Sequence, residues 1–171
     1  MGKVRHQPAG VDVVIREEYY GSATSRICYP GISSCAAITG ASPGGLIGAH
    51  ITIGADAAQV AEIFQGLKDL GAAHCMAFYV AGAFAQFKLH TIVAELNTRK
   101  KIGNKIRADL SAKAVVKFYD TTRIGAVHIL AHRNGMVADF SWKKEAGNLV
   151  KGFTYPDFTG TAIPAQDFVV R

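Results

Sequence analysis

No run of about eighteen uninterrupted apolar residues, the minimum for a membrane-spanning helix, occurs in this chain. The most apolar region, Ala72 to Phe87, is broken by His74 and Gln86 and studded with small residues. The first ten residues carry Lys3, Arg5, His6 and Pro8 with no apolar core behind them. A cleaved secretory signal is therefore not expected; the chain is either made without Sec export or already a processed piece. There is no CxxC spacing, and Cys28, Cys35 and Cys75 cannot all pair with one another. That argues against a structural zinc site, a thioredoxin motif or a disulfide scaffold, and points to a reducing, cytoplasmic setting. The glycines from Gly40 to Gly48 include neither Gly-Lys-Ser/Thr nor GxGxxG, so they read as turn formers rather than a phosphate loop. Internal repeats, linkers and low-complexity segments are also missing.

What is present fits one domain: 171 residues, 49% of them hydrophobic, can bury a substantial core but not two comfortable ones. The net charge of +6 is concentrated in Arg99, Lys100, Lys101, Lys105 and Arg107, flanked only by Glu95 and Asp109. Such a patch suits an acidic protein partner, an anionic membrane surface or nucleic acid. It suits better still the solvated end of a helix, whose dipole the cations complement.

The residues 11–16 (VDVVIR) are expected to form the first strand, after a flexible stretch at 1–10. The Tyr-, Gly- and Ser-rich segment 19–34 reads as a loop. Two apolar runs, 35–39 and 46–53, flank the turn-forming 40–45 and make a hairpin, with Cys35 opening one strand and His50 inside the next. Asp56 and Gln59 form a capping box for a helix that Gly71 stops. A buried strand is expected over 73–80, a second helix on Leu89, Ile92, Val93 and Leu96 ending near Gly103, and a short helix at 105–112. Strands follow at 115–119, 126–132 and 136–142, the last two joined at Asn134-Gly135. The tail from Phe153 reads as irregular. The fold class is α+β: a single-domain mixed β-sandwich flanked by two main helices.

Three features converge on Cys35. A thiol acts as nucleophile only as thiolate, which needs a base or a cluster of N–H donors beside it. Cys35 follows the small residues Gly31, Ser33 and Ser34, which leave room for a carbonyl and whose turn amides could hold an oxyanion. His50 lies one hairpin away, and strands about 4.8 Å apart would bring its ring to the sulfur if both share a face. The competing reading is a buried structural cysteine beside a core histidine.

The segment Tyr29-Pro-Gly-Ile-Ser-Ser-Cys35, then Ala-Ala-Ile-Thr, Pro43-Gly-Gly and Ile47-Gly-Ala-His50, resembles the catalytic hairpin of the CheD-type chemoreceptor glutamine deamidases. It is also similar to the cytotoxic necrotizing factor toxins and the related lethal factor, whose nucleophile ends a Leu-Ser-Gly-Cys motif; Ile32-Ser33-Ser34-Cys35 stands there in this chain. The resemblance spans Tyr29 to His50. It implies a deamidase-like sandwich and conversion of a Gln to Glu in a target protein, with no cofactor and no metal. The chain would then be an effector or toxin, working in a cytoplasm that is its own or another cell's. Ser33 and Ser34 would bracket the oxyanion. In the family a Thr six residues before the Cys orients the His, and Tyr29 occupies that position here; Thr24, Thr39 and Thr52 are other candidates for that role.

Two other readings stand beside this one: a thiol protease, amidase or transglutaminase with the same chemistry, and a non-catalytic module that binds through the basic patch. His74-Cys75 reads as core. His128 and His132 would lie on one face of a strand roughly 13 Å apart, too far to share a metal. Trp142, Phe153, Tyr155 and Phe158 read as core cover rather than base-stacking platforms, and nucleic acid is the least favoured partner.

Overall fold

The Ser42–Gly45 corner sets the frame of the molecule. Pro43 and Gly44 close a two-residue turn between β3 (Ala36–Ser42) and β4 (Gly45–Ile51), and the strands run in unbroken antiparallel register from Ser42↔Gly45 to Ala36↔Ile51. This computed structural model describes residues 3–85, 87, 91, 93–122, 125–144 and the backbone of 166–170. The other strands are β1 (Arg5–Val14), β2 (Tyr19–Ile32), β5 (Ala77–Gly82), β6 (Val115–Asp120), β7 (Val127–Asn134), β8 (Val137–Lys144) and β9 (Gln166–Val170). Two helices described over their full length, α1 (Ala57–Asp69) and α2 (Arg99–Asp109), accompany them.

The nine strands among the described residues belong to one sheet, in the order β8-β7-β2-β4-β3-β5-β6-β9, with β1 parallel to β2 on its free side. The class is mixed α+β. In place of the two stacked sheets of the expected sandwich, one sheet curls over itself. The first half of β2 pairs with β4 and the second half with β7, so β7 and β8 fold back over β3 and β5. Ala138 donates its backbone N–H to the Tyr79 hydroxyl across that gap, 3.2 Å, and the Tyr79 and Phe140 rings lie 5.1 Å apart. Chain length demands the curl as well. The residues between Val14 and Tyr19 span at most about 18 Å, yet Val14 pairs beside Cys28, nine residues along β2 from Tyr19.

The alternation of each strand builds two cores. Ile38, Ala49, Ile51, Phe78, Val80 and Phe118 face the helices, where Ile63, Phe64, Ile102 and Ile106 meet them. Ala37, Leu46, Tyr79 and Ala81 face the opposite way, against Ile27, Tyr29, Ile129 and Phe140. Cys35 belongs to this second core.

Several expectations need correction. The segment 19–34 is not a loop: Tyr19–Ile32 is the longest strand. At Gly21 the lack of a side chain lets β1 pass close, since a Cβ there would lie 3.0 Å from Gln7. Pro30, which has no N–H to give, falls where the pairing with β7 breaks register between Tyr29 and Ile32. Residues 5–10, expected to be flexible, form the start of β1 because β2 offers them an edge. Among the described residues the helix that follows Ala94–Leu96 begins at Arg99, where Thr98 caps it by accepting from Lys101 N, and it runs through Gly103, which lies on its buried face. Leu89 and Ile92, on which the earlier start rested, lie outside the described residues; Ala94–Leu96 is a separate 3-10 turn. A second 3-10 turn, Ala72–His74, precedes β5, so His74 is exposed rather than core, while Cys75 is buried. The tail is not irregular throughout, because Gln166–Val170 pairs antiparallel with β6; residues 153–165, with Phe153, Tyr155 and Phe158, lie outside the described residues. Among the described residues no helix is long and apolar enough to cross a membrane.

Candidate active site at Cys35

Strand parity decides whether Cys35 and His50 can meet. Ala37 stands opposite His50 in the β3–β4 ladder, and Cys35 is two residues before Ala37, so both side chains point to the same face. Opposite faces would have excluded any joint chemistry. The sulfur of Cys35, a ring nitrogen of His50 and a carboxylate oxygen of Glu17 all lie within 4.8 Å of one another. Cys35 is 4% exposed, His50 is fully buried and Glu17 is exposed, so the cluster opens to solvent on the Glu17 side.

Each group has a definite local setting. His50 Nδ1 lies 3.2 Å from the carbonyl of Ile15. A carbonyl only accepts, so Nδ1 carries the proton and Nε2 keeps its lone pair. Nε2 is buried and has no hydrogen-bond partner among the described residues. Burial pushes the imidazole down to about 4, against the opposing pull of the Ile15 bond. Burial pushes the Cys35 thiol up to about 12, and the Glu17 carboxylate adds to that; the neighbouring Ser34 acts the other way. At neutral pH the resting pair is therefore a thiol and a neutral imidazole. The imidazole holds the free lone pair that a general base requires.

The turn that delivers Glu17 is unusual. Glu18 has φ +61°, in the left-handed region, which costs a residue with a side chain about 1–2 kcal/mol. Hydrogen bonds hold it there: Glu18 N–H donates to the His50 carbonyl at 2.9 Å, Arg5 N–H to the Glu18 carbonyl at 3.0 Å, and Thr52 N–H to Glu18 Oε1 at 3.2 Å. The Thr52 hydroxyl donates to the same carboxylate. Backbone strain maintained by surrounding contacts is characteristic of functional sites. A groove of about 380 Å³, lined by Lys3, Arg5, Glu17, Glu18, Tyr19 and Thr52 among others, runs up to this turn.

The expected site is thus assembled in part. Cys35, His50 and Ser34 come together; Ser33 is exposed in the same bend. Tyr29 does not orient His50. Its hydroxyl hydrogen-bonds Thr39 Oγ1 at 2.6 Å and donates to the Ile38 carbonyl at 3.1 Å, and its ring only meets the imidazole edge-on, centroids 6.3 Å apart. The phenol reaches past the imidazole into β3, so a backbone carbonyl takes the orienting place expected of Tyr29, Thr24, Thr39 or Thr52. Sequence reasoning missed Ile15, Glu17 and Glu18. A backbone acceptor leaves no trace in residue identity; the one available signal was a pair of adjacent carboxylates directly after an apolar strand.

The basic cluster is largely occupied by its own neighbourhood. Lys105 bridges Asp109 at 2.7 Å and Glu95 at 3.2 Å, Arg99 lies 3.8 Å from Asp120, Lys101 donates to the Ala94 carbonyl and Arg107 to that of Ala112. Lys100 is exposed. His128 accepts from Gly31 N–H at 3.0 Å through Nδ1, which ties β7 to the bend before Cys35. No protein-family model matches the chain, and no curated protein is significantly similar to it.

Proposed function

We propose that the chain is a cysteine-dependent protein-glutamine deamidase, of effector or toxin type, acting in a cytoplasm. The observation that carries this reading is the shared face of Cys35 and His50: a nucleophile and a base with a free imidazole lone pair, beside Glu17, which itself lines a surface groove. Three free cysteines accord with a reducing compartment. In the proposed sequence, His50 Nε2 takes the Cys35 proton and the thiolate attacks the carboxamide carbon of a target Gln. Backbone N–H groups of the bend at Ser33 and Ser34 would stabilise the developing oxyanion. Ammonia leaves with the proton that His50 returns, and water activated by His50 then hydrolyses the thioester to Glu. Glu17 has a natural part in this scheme, since a carboxylate accepts from the carboxamide NH2 but repels the carboxylate product. The paired state of the α2 cations gives a non-catalytic role through that patch less support.

The test is labelling with iodoacetamide near neutral pH, read by intact-protein mass. Cys35, beside His50, should label in preference to Cys28 and Cys75, although all three thiols are buried, and His50→Ala should slow it by about 10²–10⁴-fold. With a target protein, the product carries the small Gln-to-Glu mass increment, absent with Cys35→Ala. Equal labelling of all three thiols would remove the basis for the reading.

A further inference from the structure

The same three side chains have a second chemistry. We propose that Glu17, Cys35 and His50 form a site for one thiophilic divalent cation, zinc being the best match, and that binding it silences the Cys35 nucleophile. A thiolate, an imidazole and a carboxylate are the donor types zinc takes, at about 2.3 Å for sulfur and 2.0–2.2 Å for nitrogen and oxygen. Tetrahedral geometry at those lengths places donor atoms about 3.3–3.6 Å apart. Here the three donors lie within 4.8 Å of one another, and Cys35 Sγ to Glu17 Oε1 is 4.0 Å. Rotation of the exposed Glu17 side chain and small shifts of the other two close the gap.

A separate observation points to a ligand. His50 Nε2 is fully buried and unpartnered, on the ring whose other nitrogen faces a backbone carbonyl. Histidines that bind metals are held in this way, the outer N–H given to a carbonyl so that the tautomer and the ring plane are fixed before the ion arrives. The solvent-facing Glu17 side supplies the path in and the fourth position, which water fills. In the binding step the Cys35 S–H bond breaks, its proton goes to solvent and a metal–sulfur bond forms; no electron changes hands. The imidazole, neutral at pH 7, gives up no proton. Affinity therefore falls as pH is lowered, with one proton released per ion.

Binding requires only these three residues; the loss of catalysis rests on the Cys35 reading above. The test uses the full chain, freed of metal with a chelator and titrated with cobalt(II) and then zinc(II). One equivalent of cobalt should bind and produce a thiolate-to-metal charge-transfer band, zinc should displace it, and zinc should protect Cys35 from iodoacetamide. Cys35→Ser should abolish the band. Glu17→Gln, a change at an exposed residue that leaves folding intact, should weaken binding by more than the about tenfold typical for loss of an outer-shell partner. If cobalt does not bind, or if it binds equally well to Glu17→Gln and Cys35→Ser, the proposal is overturned while Cys35 labelling can still stand. If it binds as described to a chain whose Cys35 is no more reactive than Cys28, the metal site stands and the deamidase reading fails.

Discussion

At Cys35 the surroundings act against the thiolate, and Glu17 is the part of that opposition that mutation can remove. Replacing Glu17 with Gln takes a negative charge from beside the sulfur, so the thiol should ionise at lower pH than in the parent chain. A pH series of iodoacetamide rates should show the onset moving downwards; an unmoved onset would show that burial alone sets it. Tyr29 offers a complementary test. Tyr29→Phe removes two buried hydrogen bonds and leaves the Thr39 hydroxyl short of a partner, so it should cost about 1–3 kcal/mol in urea unfolding. Because the ring does not hold His50, the pH profile of Cys35 labelling should stay where it was. A shifted profile would restore Tyr29 to the orienting role that its place in the sequence suggested.

At the scale of elements, the hairpin around the nucleophile was legible, and its legibility came from local chemistry. Pro43-Gly44 in the turn, apolar runs on either side and the Asp56–Gln59 capping box all act over a few residues. The same is true of the β7–β8 hairpin, whose corner carries Gly135 at φ +64°. What could not be read is what distant strands impose. β2 is a strand because β1, β4 and β7 all pair with it, although its own composition favours turns. For the same reason the cluster at Cys35 was half visible: His50 comes from the adjoining strand, whereas Ile15 and Glu17 come from the far side of β2. Close strand packing also gives a test here. A Cβ on Gly82 would sit 2.5 Å from the Cys35 carbonyl oxygen and 3.2 Å from Ala36 Cα, so Gly82→Ala must push β5 away from β3. It should destabilise by about 1–3 kcal/mol and make Cys35 label faster as that edge loosens, measured by urea midpoint and labelling rate together.

For the whole molecule, burial of His50 and of the thiols makes stability depend on pH at both extremes. His50 titrates at about 4 when folded against an ordinary value of 6.5. The stability from keeping it neutral is full above pH 6.5 and is lost as pH falls towards 4, roughly 3 kcal/mol in all. Cys35 has the opposite sign: raised from 9.0 to about 12, it stabilises fully below pH 9 and loses that contribution as pH rises towards 12. Cys28 is raised in the same sense. Urea midpoints should form a plateau between these limits, and His50→Gln should flatten the acid side.

The double pairing of β2 also sets an order of events during folding. Its contacts with β4 close over short stretches of chain, whereas Arg26 pairs with His132, about a hundred positions later, and contacts that distant slow folding to the millisecond-to-second range. The β3–β4 hairpin can bring Cys35 opposite the His50 strand early, but the roof of β7 and β8 arrives last. A newly made chain therefore passes through a stage in which the thiol is more open to oxidants and alkylating agents than it is in the finished molecule. Pulsed alkylation during refolding should capture Cys35 in that interval.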